Sequence, residues 1–380
     1  MKYRAFGKDG WNASILGMGA MRLPTTDGNR MGQSIVEDEA IALIQRALDG
    51  GVNYIDTAYV YHGGRSEVVV GKALGGAYRG KAKIATKSPI QRIKTADEFD
   101  RILHEQLARL NTDHIDFYLF HGLDAAKWKT ALELDLLRRA EAARDAGKIS
   151  HIGFSFHADY PAFEQILDGY NGWEFCQIQY NYMDTEFQAG TRGLELAAQK
   201  GIPVIVMEPV RGGRLAAPPA EVAAFLASHP SRRTPVEWAF HWVWNRPEVN
   251  LVLSGMSTLE QVEQNLAAVD HAEAATFGPA EHEIIQKTVE LFRRRTEIPC
   301  TSCAYCIPCP QGVNIPRNFS LYNDGVIYNN PANARFTYFH FMKEDARASA
   351  CIACNECEPK CPQQIPIAAF MEKIHAAFRG

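Results

Sequence analysis

Cysteine is nearly absent from the first 299 residues of this 380-residue chain. Cys176 stands alone there, and the other eight fall between Cys300 and Cys361. So abrupt a change in composition marks a domain boundary. No run approaches the ~18 apolar residues that a bilayer-crossing helix needs, which argues against a membrane protein. No dense Lys/Arg block appears, and a net charge of −4 with pI near 6.3 gives no electrostatic reason to expect a nucleic-acid partner. The N-terminus, MKYRAFGKDGW, lacks both the apolar stretch of a secretory signal and the paired arginines of a folded-export signal, so a cytoplasmic location is expected. A Gly-rich dinucleotide fingerprint is missing too, GMGAMR being a poor imitation of it.

What is present is an ordinary globular composition, 46% hydrophobic and 22% charged, at a length suited to one large α/β domain and a small second one. Eight short β-rich runs read as strands: 15–19, 52–58, 83–88, 114–121, 151–156, 175–181, 202–210 and 250–256. Segments between them, such as VEDEAIALIQRALDGG and ADEFDRILHEQLARL, carry apolar residues at helical spacing, with acidic starts and frequent glycine stops. Eight βα units predict a closed (β/α)8 TIM barrel over 1–290, followed by a small, mainly helical domain over 291–380. No internal repeat beyond the βα alternation is evident, and no low-complexity tract.

Active residues of such barrels lie where strands end, because the following loops converge there. The second strand exits with Asp56, followed by Tyr59, Tyr61 and His62; the third exits with Lys87 and the fourth with His121. A tyrosine with pKa ~10 is a weak acid at neutral pH, and an adjacent ammonium makes it a better proton donor or acceptor. Lys87 supplies that ammonium, Asp56 orients it, and His121 can hydrogen-bond the reacting oxygen. The set suits proton transfer beside hydride transfer.

On these motifs, NYIDTAYVYHGGRSE, KIATKS and DFYLFHG in their order and spacing, the chain from about 1 to 290 resembles the aldo-keto reductase family. The resemblance implies a catalytic tetrad of Asp56, Tyr61, Lys87 and His121, with Tyr61 as general acid/base and NADP(H) or NAD(H) as hydride carrier. It also implies Ser155 and Gln177 at the nicotinamide carboxamide, with Met207 where the family usually stacks an aromatic and Phe156, then His157, where it has Asn. In the loop after the last strand, Gly255 and Gln261 stand where relatives often hold the 2′-phosphate with Lys and Arg, and Gln264 and Asn265 lie near the adenine. The choice between NADPH and NADH therefore stays open. Arg211 and Arg214, after the seventh strand, are candidates for the pyrophosphate.

Other conspicuous residues have plainer uses. Tyr59 and His62 fit loop packing, with His62 near enough to touch substrate, and His157 is undecided. Trp128, and the stripe of Trp238, Trp242 and Trp244, fit packing or a docking face, and Cys176 fits a small buried apolar residue.

The tail carries Cys351, Cys354, Cys357 and Cys361 before Pro362, a C-x2-C-x2-C-x3-C-P run of bacterial ferredoxin type. An earlier set, Cys300, Cys303, Cys306 and Cys309 before Pro310, is one residue shorter in its last gap. The tail has too few aliphatic residues for a core of its own, which points to metal as its support. It resembles a two-cluster 4Fe-4S ferredoxin module, which implies crossed ligation: Cys300, Cys303 and Cys306 with Cys361, and Cys351, Cys354 and Cys357 with Cys309. Two zinc ions, each held by four thiolates, are the competing reading, and disulfides a weaker one. The 41 residues between the sets predict helices rather than a hairpin.

Nicotinamide moves two electrons and a cubane one, and no flavin motif links them. The sequence thus predicts a carbonyl–alcohol oxidoreductase acting on a small molecule, whose clusters brace the fold or serve an electron-transfer partner. The alternative is an iron–sulfur electron-transfer protein with the barrel as scaffold.

Overall fold

The computed structural model describes residues 1–28, 32–270, 272 and 275–379. Ten strands are named in chain order: β1 (Tyr3–Ala5), β2 (Asn12–Ser14), β3 (Leu16–Gly19), β4 (Tyr54–Asp56), β5 (Lys83–Ser88), β6 (Ile115–Leu123), β7 (Ile149–Phe156), β8 (Phe175–Gln179), β9 (Val204–Met207) and β10 (Val249–Ser254). β3 to β10 are parallel and close into a barrel, β10 returning to β3 through Val252–Leu16, Leu253–Gly17 and Ser254–Met18. These are the eight strands read from sequence. β1 and β2, which were not, form an antiparallel hairpin.

Side-chain alternation along each strand assigns two faces. Ile55, Ile84, Tyr118, Phe120, Ile152, Phe154, Cys176 and Ile178 face outward into the shell of helices. Tyr54, Ala85, Phe117, Leu119, Phe175, Ile205 and Leu251 point inward and fill the barrel. Space inside is tight: a Cβ on Gly153 would lie 2.5 Å from the Phe175 ring. Phe6 and Trp11, carried on either side of the β1–β2 turn, each pack on Phe117 with ring centroids 5.4 Å apart and close the base. The mouth at the other end is left for polar residues.

The crossover helices follow their signals. Ala96–Leu110 opens with the Thr95/Glu98 capping box, buries Phe99, Ile102, Leu103, Gln106, Leu107 and Leu110 on one face, and ends at Asn111 with φ of 51°. Trp128, Trp238, Trp244 and Cys176 are all buried, in keeping with packing.

By internal contacts the chain divides into two compact units, 1–212 with 236–277, and 213–235 with 278–380. The loop after β9 and the helix Pro279–Arg294, both read from sequence with the barrel segment, group with the second unit, where Pro279–Arg294 packs on the helix Ala220–Ala227. The expected helices between the cysteine runs are Ile315–Ile327 and Pro331–Phe341, and a last helix covers Ile367–Arg379. Contrary to expectation this unit has a core of its own. Phe319, Leu321, Tyr322, Tyr338, Met371, Ile374 and Phe378 form it, and the cysteine loops pack against it. Aromatic and Met side chains supply the volume that a count of aliphatic residues missed. Among the described residues no helix is long and apolar enough to cross a membrane.

Candidate functional site

On β4, β5, β6 and β8 the inward row leads into a polar residue. Asp56 follows Tyr54 by two positions, Lys87 follows Ala85, His121 follows Leu119, and Gln177 follows Phe175. The alternation that packs the interior thus delivers these groups to the mouth.

Lys87 is fully buried, and its ammonium spends all three N–H groups. It donates to the Asp56 carboxylate, to the Thr57 carbonyl at 2.7 Å and to the Tyr61 hydroxyl at 3.3 Å. Burial alone would lower its pKa, but Asp56 and Tyr61 outweigh that and raise it, so the charge is kept. Burial raises the Tyr61 pKa above the usual phenol value, and Lys87 only partly offsets it. The activation expected from the ammonium is therefore present but second to desolvation. The His121 ring meets Tyr61 edge-on at 5.8 Å between centroids. Burial first, then Lys87, pull its pKa down to about 3, so it is neutral at physiological pH, and its Nδ1 has no partner.

A buried network under this quartet escaped the sequence reading. Glu67, with no solvent exposure, accepts from Thr86 Oγ1 (2.6 Å), Gln106 Nε2 (2.7 Å) and Arg109 Nη1 (3.1 Å). Gln106 also donates to the Lys87 carbonyl at 3.2 Å and accepts from the Tyr118 hydroxyl at 2.7 Å. Its signal was a glutamine on the apolar face of an amphipathic helix. His62 is buried, with Nδ1 2.6 Å from the Gly32 carbonyl, as a packing residue would be.

Around the mouth, Ser155 and Gln177 are register partners on β7 and β8. Gln177 Oε1 is buried without a hydrogen-bond partner, a free acceptor suited to a carboxamide NH2. Ser155 Oγ accepts from the Gly122 N–H at 2.8 Å and props the end of β6 beside His121. Met207 ends β9, half-buried. Gly255 is exposed beside Arg22, Gln261 Oε1 accepts from the Ser257 N–H (2.8 Å), Gln264 is exposed and donates to Glu260 (3.0 Å), and Asn265 is buried, donating to Ser254 Oγ (2.9 Å).

Arg211 and Arg214 fall in different compact units. Arg211 Nε donates to Asp184 Oδ2 at 2.8 Å, while Arg214 groups with the second unit and pairs there with Asp324 at 3.5 Å. Nearby carboxylates have claimed both guanidiniums. Arg22, in the GMGAMR stretch, is the cation that spans the rim instead. Its guanidinium donates to the Gly212 carbonyl (2.8 Å) and to Glu208 (3.2 Å), and its carbonyl accepts from Ser257 Oγ (2.6 Å). It ties the loops after β3, β9 and β10 together.

In the second unit Cys300, Cys303, Cys306 and Cys361 line one pocket with Phe319, Ile365 and Ile367. This is the crossed set implied for the first cluster. The two runs are also repeats of one backbone, which corrects the expectation that the chain holds no such repeat. Ser302 and Ala304 have φ of 58° and 63°, and Ala353 and Asn355, at the same offsets, 54° and 61°. Gly312 and Gln364, three residues past Cys309 and Cys361, are left-handed as well. CPQGVNI and CPQQIPI then lead into helices starting at Ile315 and Ile367. Spacing differences and unlike intervening residues hid the repeat. One helix anchors both runs: Asn323 brackets Ile298 through both its amide and its carbonyl oxygen, and Asn318 Oδ1 accepts from the Ala348 N–H at 2.8 Å.

A parallel eight-stranded barrel whose mouth holds this quartet belongs to the class of oxidoreductases. Residues 15–287 match the aldo/keto reductase family, and residues 299–365 match the 4Fe-4S dicluster domain. The chain belongs to the aldo/keto reductase family and carries a C-terminal 4Fe-4S dicluster domain. It is 25% identical over 293 residues to L-galactose dehydrogenase of Arabidopsis thaliana, covering 72% of this chain and 90% of that protein. The holo form of aldo-keto reductase AKR11C1 from Bacillus halodurans superposes with a TM-score of 0.63 at 27% identity, over 76% of this chain and 96% of that one. An aldo-keto reductase from Klebsiella pneumoniae in complex with NADPH gives 0.59 at 21% identity, over 76% and 95%, and shows the shared fold.

Proposed function

We propose that this protein interconverts a carbonyl and an alcohol, using NADPH or NADH, with Tyr61 as the proton donor and acceptor. The observation that carries this is the fully buried Lys87 ammonium joining Asp56 and the Tyr61 hydroxyl at the mouth of the barrel. Segment 1–290 does the chemistry, and segment 291–380 holds two 4Fe-4S clusters.

Bound nicotinamide supplies or takes the hydride. Gln177 Oε1, buried and unpartnered, accepts from its carboxamide, and neighbouring Ser155 holds the same edge. Arg22, which joins the loops after β3, β9 and β10, would hold them in place for the dinucleotide. Gly255 and Gln261 offer no cation to a 2′-phosphate, so NADH competes with NADPH on more equal terms. Met207, half-buried at the end of β9, would contact the nicotinamide ring.

In the reducing direction the substrate carbonyl oxygen sits between Tyr61 and His121. The phenol remains protonated at neutral pH, because burial raises its pKa, and gives its proton to that oxygen as hydride reaches the carbon. Lys87 stabilises the phenolate left behind. Neutral His121 donates a hydrogen bond to the same oxygen without competing as an acid. Asp56 keeps the ammonium charged; removing a partner of such a buried pair costs about 3–5 kcal/mol.

Cys300, Cys303, Cys306 and Cys361 hold one cluster, and Cys351, Cys354, Cys357 and Cys309 the other. The clusters add one-electron capacity that serves a protein redox partner or braces the fold.

The test replaces Tyr61 with Phe in anaerobically purified protein and follows cofactor oxidation with a panel of aldehydes. Turnover falling by about 10³ or more, about 4 kcal/mol in barrier, is expected. Unchanged turnover removes the assignment and favours the barrel as a scaffold.

A further inference from the structure

We propose that the two clusters accept electrons unequally: the one held by Cys300, Cys303, Cys306 and Cys361 is reduced first, and charged side chains placed along the two cysteine runs set the order. This rests on the crossed ligation proposed above.

The two runs share one backbone, so they compare position by position. Exposure does not separate them. Cys303 and Cys354, at matching places, are both exposed, and the other six cysteines are all partly exposed. With cluster type and access matched, nearby charge and hydrogen bonds to sulfur are left to tune the two potentials.

Charge differs sharply. From Pro299 to Pro316 the chain carries no Asp, Glu, Lys or Arg, and Tyr305 and Ile307, both exposed, flank Cys306. The positions matching them are Glu356 and Glu358, on either side of Cys357. Glu358 is held there, since its Oε1 accepts from the Ala368 N–H at 3.0 Å. The residue that lengthens the last gap of the second run is Lys360, directly before Cys361. In crossed ligation Cys361 serves the first cluster. The cation of the second run therefore joins the cluster whose own run is uncharged, and both carboxylates stay with the other. The chain just ahead of the second run does not undo this. Lys343, Glu344, Asp345 and Arg347 sum to no net charge, and the Arg347 guanidinium is held by the Phe339 and Met342 carbonyls at 2.8 and 2.9 Å.

Hydrogen bonding acts in the same sense. The Ser302 N–H donates to Cys300 Sγ at 3.4 Å, which steadies added negative charge on that sulfur. Reduction of a cluster adds one electron from an external one-electron reductant and makes or breaks no bond, so a neighbouring cation favours it and carboxylates oppose it. The module therefore holds one electron on the first cluster while the second is still oxidised. It hands electrons singly to a one-electron carrier, not as the pair that a hydride moves.

The experiment uses the full-length protein, purified anaerobically with both clusters loaded, and follows a dithionite titration with redox mediators by low-temperature EPR. Two one-electron waves are expected. At any one potential the reduced-to-oxidised ratio of the first cluster should exceed that of the second about tenfold or more, tenfold being about 59 mV for one electron. Cys303→Ala should remove the upper wave. Tyr305→Glu should lower only the upper wave, and it assigns that wave even where Cys303→Ala loses both clusters. Glu356→Gln with Glu358→Gln should raise only the lower wave and cut the ratio about tenfold, each exposed charge being worth about threefold. Coincident waves in the wild type, an upper wave that survives Cys303→Ala, or a ratio unchanged in the glutamine variant overturns the proposal. Lys360→Met separates the order from the ligation. Lowering of the upper wave supports crossing, whereas lowering of the lower wave assigns Cys361 to the second cluster and sinks the crossing while the order stands on Glu356 and Glu358.

Discussion

The Lys87 ammonium lies 3.3 Å from the Tyr61 hydroxyl and 4.8 Å from the centre of its ring. The charge therefore meets the phenol from beside its oxygen, close enough to favour phenolate, yet burial still keeps the phenol pKa above its ordinary value.

A pH dependence follows with a definite sign. The protonated phenol is the donor in reduction, so carbonyl reduction should hold level through the neutral range and fall only in the alkaline range where Tyr61 ionises. Alcohol oxidation needs the phenolate and should rise over that same range. His121, with its pKa lowered to about 3, contributes no limb between about pH 5 and 8. Steady-state profiles in both directions check this, and a reductive limb between about pH 6 and 7 would show an imidazolium at work instead.

The barrel was legible because two simple periods repeat. Alternation in KIATKS and DFYLFHG marked the strands and, two residues beyond each packed side chain, the polar exit. The quartet came from the same rule. The rim was less legible, because its partners are chosen by loop geometry: Arg211 pairs with Asp184, and Arg214, in the second unit, pairs with Asp324. Arg22 gave no hint, since its partners are about 190 residues away in the chain.

Replacing Arg22 with Leu should weaken dinucleotide binding by about ten- to a hundredfold, the worth of one charge-assisted hydrogen bond. Turnover at saturating cofactor should change less, since Arg22 touches no reacting atom in the proposed arrangement. Fluorescence titration with NADPH and NADH measures it, and an unchanged Kd for both would leave Arg22 as a purely structural tie.

The proposed crossed ligation makes the cysteine variants interdependent. Cys303→Ala and Cys361→Ala should each damage the same cluster, so the double variant should lose little more iron and sulfide than either alone. Cys354→Ala combined with Cys361→Ala should damage both. Iron and acid-labile sulfide analysis with low-temperature EPR distinguishes the cases. Additive loss for the first pair would assign Cys361 to the other cluster, and zinc in place of iron would remove both.

The two asparagine anchors on Ile315–Ile327 have a mechanical meaning. Asn318 and Asn323 are five residues apart, about 7.5 Å along a helix axis, and each seizes the chain just ahead of one cysteine run. A rigid rod thus serves as a ruler made of peptide alone, setting the interval between the starts of the two inorganic centres before any iron arrives.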